Sequence, residues 1–198
     1  MSFGFSALFA RMNYIDRWGL MRNTRKESLS EHSAIVANVA HVLAETAVTV
    51  FGSDDVRPEH VTVTALYHDI SETLTGDMPT PVKYRNDAIR ASYKAVEAEA
   101  EDQVIHMLPE PLRSAIGKCV KGTDLTDHEK RILKAADKIG ALLKTIEEKQ
   151  SGNSEFHSAE QSTVRSIREM NLPELDYFMD NFLPAFYLTL DELLAEQH

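Results

Sequence analysis

The side chains best suited to chemistry lie in a short stretch near the middle of the chain. His68, Asp69 and Glu72, each able to bind a metal or move a proton, stand within otherwise apolar sequence. At spacings of three and four residues on a helix, all three project from one side. An imidazole and two carboxylates at the edge of a core are unfavourable unless they pair or bind a cation. The stretch therefore predicts a metal site or a site of proton transfer.

The apolar spacing around these residues predicts one continuous helix over 58–75. Pro58 suits its first turn, and Gly76 lets the chain leave it. Directly afterwards, a glycine and two prolines in 76–81 predict a stiff loop, which offers Asp77 and Thr80 as polar side chains. Binding residues often stand on such loops, although rigidity alone also explains the composition.

His32 lies on the buried face of another predicted helix. Ser28 and Glu31 fit a capping box, which predicts a helix over 29–51 closed by Gly52. An imidazole on this face is either a hydrogen-bonded core residue or a metal ligand, and spacing alone leaves both open.

Asp137 lies at the edge of a third apolar stripe. Thr126 and Glu129 form a second capping box, which predicts a helix running to Gln150. A mid-helix aspartate among Ala, Ile and Leu is unfavourable without a partner. Two imidazoles and two carboxylates thus face one core, and they form a plausible cage with open positions. Such a donor set favours Mn²⁺, Co²⁺, Fe²⁺ or Mg²⁺ over a closed structural zinc site.

The segment from Arg11 to Lys26 carries five basic residues and one acid in a chain of net charge −10. On charge alone it is either an anion-binding patch or a solvated basic loop. Trp18, the only tryptophan, follows Arg17. It is either an anchor of the core or an aromatic surface that contacts a ligand.

The whole chain sets the fold class and excludes several kinds of partner. Its 198 residues, 43% of them hydrophobic, suit one domain over 1–198. Helical periodicity recurs and no period-2 run is flanked by hairpin turns, so we predict an all-α fold.

The lone Cys119 excludes an internal disulfide and predicts a reducing compartment, the cytoplasm. No stretch is long enough to span a membrane, and the acidic balance disfavours a nucleic-acid polymer. Further helices are predicted over 3–16, 86–107, 153–170 and 173–186, with short ones ending at 121 and beginning after Thr189.

The set of His32, His68-Asp69 and Asp137 in an all-helical chain resembles the HD superfamily of metal-dependent phosphohydrolases. Within that superfamily, further motifs are similar to the bacterial 5′-deoxynucleotidases: Arg17-Trp18, Met21-Arg22-Asn23, Ser30-Glu31-His32-Ser33, Tyr67-His68-Asp69, Glu72, the run Leu74 to Tyr84, and Asp176-Tyr177-Phe178-Met179. The resemblance covers nearly the whole chain and implies a single-domain HD helical bundle.

The resemblance also implies an activity, hydrolysis of 2′-deoxyribonucleoside 5′-monophosphates (dNMPs) to deoxynucleoside and phosphate, in a cytoplasmic homodimer. It implies one divalent ion per subunit, Co²⁺ or Mn²⁺ first, with Mg²⁺, Fe²⁺ or Cu²⁺ as alternatives. The implied metal ligands are His32, His68, Asp69 and Asp137. The implied catalytic residues are Arg17, Asp69 and Glu72. The implied substrate contacts are Arg17, Trp18, His32, Asp69, Asp77, Met78, Pro79, Thr80 and Asp137. In this scheme Arg17 orients the phosphate, Trp18 crowds the ribose 2′ position and Glu72 transfers a proton.

Two other functions remain open at this point. An HD hydrolase of cyclic or polyphosphorylated nucleotides would more often need extra basic residues along its cleft. A metal-stabilised nucleotide-binding regulatory module would need no group for proton transfer. Glu72, one turn from the proposed ligands, favours an enzyme over such a module.

Overall fold

The computed structural model describes residues 2–83 and 85–195, and within these ranges helices joined by loops and turns are the secondary structure, apart from one isolated β-bridge. The α-helices are α1 Phe5–Ala10, α2 Leu29–Thr49, α3 Pro58–Tyr67, α4 Glu72–Thr75, α5 Thr80–Lys83, α6 Asp87–His106, α7 Glu110–Lys121, α8 Asp127–Gln150, α9 His157–Arg168, α10 Pro173–Asn181 and α11 Leu190–Ala195. Short 3₁₀ helices span Arg11–Tyr14, Ser154–Phe156 and Leu183–Tyr187. The predicted all-α fold class is confirmed. The single domain over 1–198 stays a prediction, and Tyr84 of the quoted motif lies outside the described residues.

Helices α2 and α8 begin at their predicted capping boxes. Ser28 N–H donates to the Glu31 carboxylate at 2.7 Å, while Ser28 Oγ accepts from Glu31 N–H at 3.3 Å. Thr126 and Glu129 make the same reciprocal pair, at 2.8 and 3.1 Å. These caps set the start of the two helices that carry His32 and Asp137.

The continuous helix predicted over 58–75 is wrong, because α3 ends at Tyr67 and α4 begins only at Glu72. In between, backbone N–H groups bond three residues back, as in Glu72 N–H to Asp69 O at 3.0 Å. The His68 ring explains the break, since its Nδ1 lies 2.6 Å from Ala65 O, the carbonyl that a continued α-helix would offer to the Asp69 N–H. The tighter turn projects His68 and Asp69 from the helix end.

Two of the other predicted helices are also shorter than expected. The helix over 3–16 becomes α1 followed by a 3₁₀ turn, and the helix over 173–186 ends at Asn181. Pro184 lacks the N–H that a continued helix would need. Within the ranges described, no helix combines the length and apolar character that crossing a membrane requires.

The turn at His68 lies between two apolar clusters. The larger cluster forms where α2 packs against α3 and α8, and it includes the buried Ala65. The smaller one joins α1, α6 and α7 and includes the buried Ile70. Because residues on both sides of His68 and Asp69 are anchored in a core, the turn is held from both ends.

Glu129 ties the start of α8 to the start of α3. Its carboxylate accepts hydrogen bonds from Arg57 N, Nε and Nη2 at 2.8, 2.9 and 2.7 Å. Burial raises the pKa of Glu129, but the hydrogen bonds from Arg57 and the Thr126 N–H outweigh it and lower the pKa to about 2. Because the folded pKa lies below the ordinary 4.5, this group stabilises the fold above that pH and loses its contribution as the pH falls toward 2.

We expect Glu129→Gln to lower the free energy of unfolding at pH 7 by about 1.5–3 kcal/mol, since it weakens hydrogen bonds to a buried charge. The deficit should shrink as the pH falls below about 4.5. Urea unfolding across this pH range measures it, with the fully exposed Asp127→Asn in the same turn as the control. A deficit in unfolding free energy that stays constant down to pH 3 would show that the charge of Glu129 is not the source of the stabilisation.

Candidate metal and phosphate site

Three side chains from two elements converge where α2 meets the turn after α3. His32, His68 and Asp69 each place a donor atom within 4.8 Å of the other two. His68 Nε2 lies 3.0 Å and His32 Nε2 lies 3.7 Å from Asp69 Oδ2. His32 is fully buried, whereas the other two are partly exposed. The arrangement suits a small cation reached from one side.

Asp137 of α8 lies beside this group rather than within it. Its Oδ1 is 3.1 Å from His32 Nε2 and 3.9 Å from His68 Nε2. The carboxylate is nearly half-exposed, so it faces the opening of the site. The four predicted ligands are therefore neighbours, three of them in a tight group and Asp137 at its edge.

The hydrogen bonding of His68 fits a metal ligand. Because its Nδ1 faces the Ala65 carbonyl at 2.6 Å, that nitrogen is the donor and Nε2 is the free one. His68 Nε2 is buried and makes no hydrogen bond within the described part of the chain, although Asp69 is close. Burial lowers the pKa of His68, but the Asp69 carboxylate outweighs burial and raises it to about 9. The position thus attracts a positive charge, either a proton or a metal ion.

Gly140 of α8 allows His32 its position, and sequence reasoning missed it. A Cβ at residue 140 would lie 3.1 Å from His32 Cε1, 3.2 Å from His32 Nδ1 and 2.9 Å from Val36 Cγ2. Glycine is unfavourable in the middle of a helix, so its presence at position 140 could have indicated a close contact there. The missing side chain lets α2 approach α8 at the imidazole.

We expect Gly140→Ala to weaken divalent-metal binding by about 10- to 100-fold, as the loss of supporting contacts around a metal ligand typically does. Titration calorimetry on the metal-free protein measures the affinity. Gly117→Ala in α7 is the matched control, because its added Cβ would meet only the flexible Ile105 side chain, at 3.3 Å. Equal metal affinities for both variants and the wild type would show that His32 still binds the metal when a methyl group at residue 140 crowds it.

Glu72 begins α4 one turn beyond His68, and its side chain is buried. Its Oε2 has no hydrogen-bond partner among the described residues. Burial raises the pKa of Glu72 to about 9, and the carboxylates of Asp69 and Asp77 act in the same direction. A carboxyl group that keeps its proton near neutral pH can serve as a proton donor.

Arg17 and Trp18, from the segment that precedes α2, lie near the cluster. Burial lowers the pKa of His32, and the charge of Arg17 acts in the same direction, so Arg17 lies near the cluster. Trp18 N–H donates to Asp77 Oδ2 at 3.3 Å, joining residues that are 59 positions apart. The indole is half-buried and packs edge-to-face with Phe156, with ring centroids 5.3 Å apart.

The remaining basic residues of 11–26 do not form a free anion-binding patch. Arg11 lies over the Tyr14 ring. The ion pairs are Arg22 with Glu155, Arg25 with Glu31 and Glu147, and Lys26 with Asp16. These acids neutralise most of the segment, and Arg17, which pairs with Glu27, is its basic residue nearest the cluster among the residues that the structure describes.

The predicted stiff loop leaves α4 through Gly76, whose φ of +74° favours glycine. Of its predicted substrate contacts, Asp77 reaches Trp18, Met78 and Pro79 are half-buried, and Thr80 is exposed at the start of α5. The loop carries no further side chain to the metal cluster among the contacts described.

An open groove of about 370 Å³ leads to the cluster from the side of α7 and α8. His68 and Asp137 line it together with Gly122, Leu125, Leu133 and three lysines, Lys121, Lys130 and Lys134. Two of these lysines form ion pairs, Lys121 with Asp102 and Lys130 with Asp127. A cationic approach to the site suits an anionic substrate in a chain of net charge −10.

The helical core and its two imidazoles and two carboxylates define the class of HD-type phosphohydrolases. Solved structures have the same fold. An HD-domain phosphohydrolase from Listeria innocua matches with a TM-score of 0.74 and 26% identity, covering 97% of this chain and 95% of that one. The cyanophage S-2L HD phosphohydrolase DatZ, solved with dA and one catalytic Zn²⁺, matches with a TM-score of 0.69 and 16% identity over 96% of this chain and 100% of that one.

Within this class, the chain belongs to the YfbR-like 5′-deoxynucleotidase family, whose model matches residues 4–186. The 5′-deoxynucleotidase of Cronobacter sakazakii and 5′-deoxynucleotidase YfbR of Escherichia coli K12 are each 44% identical to it over 189 residues, 96% of this chain and 94% of each relative. The predicted resemblance and enzyme class, a 5′-deoxynucleotidase of the HD phosphohydrolases, are confirmed.

Proposed function

We propose that this enzyme hydrolyses dNMPs to deoxynucleosides and phosphate with one divalent ion held by His32, His68, Asp69 and Asp137. The observation that supports this most is the buried, unpartnered Nε2 of His68, which faces a carboxylate at 3.0 Å. A bound divalent ion supplies positive charge that polarises the phosphoryl group and activates water. Two nitrogen and two oxygen donors suit Mn²⁺, Co²⁺, Fe²⁺ or Mg²⁺. The family resemblance makes Co²⁺ or Mn²⁺ the first candidates, followed by Mg²⁺, Fe²⁺ and Cu²⁺.

Arg17 binds and orients the substrate phosphate. A guanidinium forms paired, charge-assisted hydrogen bonds with phosphate oxygens, so it fixes the direction of the group as well as attracting it. Asp69 remains an anion despite its burial, because the charges of His68 and His32 hold its pKa well below the usual range. It therefore keeps the negative charge that a cation ligand needs.

Glu72 supplies the proton to the leaving 5′-oxygen. Its carboxyl is buried and its pKa is raised to about 9, so the proton is present at neutral pH. Glu72 lies one turn beyond His68 and shortly before the loop over 76–79, so it acts on the substrate from the side of that loop. Donation to the leaving group prevents a strongly basic alkoxide from forming.

Trp18 and the Asp77 loop contact the sugar. The hydrogen bond from Trp18 N–H to Asp77 joins Trp18 to the loop, and this supports a single sugar-binding surface formed by the two. An indole against the ribose excludes a 2′-hydroxyl by shape. We also propose that Met78, Pro79 and Thr80 complete the substrate contacts, with His32 and Asp137 on the metal side.

We expect Trp18→Ala to reduce the ratio of kcat/KM for dAMP over AMP by about 10- to 200-fold, the range typical of small steric exclusions. Steady-state kinetics on both nucleotides measures the ratio. The control is Tyr14→Ala, an exposed aromatic of the same segment. An unchanged ratio would leave Trp18 as a packing residue alone.

Hydrolysis of dAMP, AMP, a cyclic nucleotide and dGTP, followed by chromatographic separation of the nucleoside and nucleotide products, tests the proposed substrate class. The groove with three lysines favours one second candidate, hydrolysis of polyphosphorylated nucleotides, because extra phosphates could contact those cations. We expect dAMP to be hydrolysed fastest. Faster hydrolysis of dGTP or of the cyclic nucleotide would overturn the assignment to dNMPs.

We further propose a cytoplasmic homodimer. The exposed aromatic side chains of Phe51 and Phe182 both pack against Tyr177, at ring distances of 6.2 and 6.3 Å, and form an apolar surface there. Such apolar surface is typical of a contact between subunits. Light scattering should give twice the 22.3 kDa chain mass at micromolar concentration, and a monomer would contradict the proposal.

A further inference from the structure

Trp18 adopts a backbone conformation that bulky residues avoid. Its φ is +61°, in the left-handed region. The Trp18 carbonyl accepts hydrogen bonds from Met21 N–H at 2.9 Å and Asn23 Nδ2 at 3.3 Å. Strained residues of this kind persist where surrounding contacts hold them, and they concentrate at functional sites. The contacts that hold Trp18 in this conformation are therefore candidates for a functional role.

A single carboxylate oxygen joins Trp18 to Arg17. Glu27 Oε2 accepts a hydrogen bond from Trp18 Nε1 at 2.9 Å and another from Arg17 Nη1 at 3.2 Å. Glu27 is buried, with 7% of its surface exposed. The charged acceptor makes both bonds stronger than neutral ones would be.

The backbone of Glu27 is also fixed relative to these two residues. Arg17 N–H donates to Glu27 O at 2.9 Å, and Leu29 N–H donates to Ile15 O at 2.9 Å. Between these bonds Asp16 and Ser28 form the isolated β-bridge. The strand-like pairing closes the loop over 17–27, so the Glu27 carboxylate has little freedom to follow a displaced ring.

We propose that Glu27 is a positioning residue that sets the selectivity for deoxyribose, an inference that rests on the proposed function. A nucleotide whose phosphate is bound by Arg17 has its ribose placed at a set distance from that guanidinium. Because Arg17 and Trp18 share one acceptor oxygen, the indole stays at a fixed distance from the phosphate. This fixed distance determines whether a substituent at the ribose 2′ position fits beside the indole. Without Glu27, the ring and the guanidinium move independently, and a 2′-hydroxyl finds room.

Trp18 is the only tryptophan, so fluorescence excited at wavelengths that tyrosine does not absorb reports on this residue alone. We expect Glu27→Gln and Glu27→Ala to shift the emission maximum in the absence of substrate. Both variants should reduce the dAMP over AMP ratio of kcat/KM by about 10-fold or more, chiefly through a lower KM for AMP, because the 2′-hydroxyl is no longer excluded. Metal affinity should stay at the wild-type value, because Glu27 does not contact the proposed ligands in the described structure. Glu27→Gln keeps the size of the side chain, so it provides the test if the alanine variant folds poorly.

Asp16→Asn is the matched control, since this exposed carboxylate in the same paired segment contacts Lys26 instead of Arg17 or Trp18. It should leave fluorescence and the nucleotide ratio unchanged. A wild-type ratio in a folded Glu27 variant would overturn the inference while leaving the proposed function intact. If the wild type itself hydrolyses no dNMP, the proposed function fails, and the fluorescence of the Glu27 variants still tests whether Glu27 positions Trp18.

Discussion

Glu72→Gln should lower kcat for dAMP by about 10²- to 10⁴-fold, the range typical of losing a general acid or base. Glutamine keeps the size of the side chain and removes its acidic proton. Since Glu72 lies one turn beyond the proposed ligands and its pKa is raised to about 9, its main effect falls on the chemical step. The KM for dAMP should change little, because Arg17 and the ion still bind the phosphate.

The same variant should keep one divalent ion per chain, measured by atomic emission. Glu99→Gln, an exposed carboxylate on α6, serves as the control and should retain wild-type turnover. Loss of the metal from Glu72→Gln would make Glu72 a ligand or a support of the cluster. Near-normal turnover would mean that the proton travels through another group or through water.

His68→Ala should abolish metal binding and hydrolysis together. The alanine removes the free nitrogen that faces Asp69 at 3.0 Å, and the remaining donors cannot replace it. A metal that stabilises the transition state by several kcal/mol accounts for at least about 10³-fold in rate. His41→Ala, an exposed imidazole on α2, is the control. Unchanged metal content and activity in both His68→Ala and Asp137→Ala would show that the cage is assigned wrongly.

A thermal measurement checks the same point without any assay of activity. A ligand that binds only the folded state stabilises it by about 2.7 kcal/mol at 100 times its Kd. Mn²⁺ or Co²⁺ should therefore raise the Tm of the wild type and leave that of His68→Ala unchanged. An equal rise in both proteins would indicate that the metal binds elsewhere.

Local signals explain what could be predicted from the sequence. The capping boxes at Ser28 and Thr126 involve partners three residues away, so their helices begin where expected. Periodicity then placed His32 on the buried face of α2 and Asp137 at the edge of the α8 stripe. The break after Tyr67 could not be read in the same way, because it depends on the His68 ring facing the Ala65 carbonyl.

Features of the site that depend on tertiary structure were missed. Arg22 pairs with Glu155, 133 residues away, and this distance hides the neutralisation of the basic segment from any local pattern. Glu27 reads as an ordinary acid in the sequence, and only the folded loop brings it to Arg17 and Trp18. Gly140 was visible as an unfavourable residue in a helix, but its reason, the close approach of His32, requires the packing of α2 on α8.

The central claim is that one divalent ion per chain drives hydrolysis of dNMPs. The most direct measurement is phosphate release from dAMP and AMP by metal-stripped protein as Mn²⁺ or Co²⁺ is added in steps. We expect no release without metal, a rise in proportion to added ion that levels off at one ion per chain, and hydrolysis of AMP about 10-fold slower or more. Full turnover of dAMP by the stripped protein in excess chelator would contradict the account, as would equal rates on the two nucleotides.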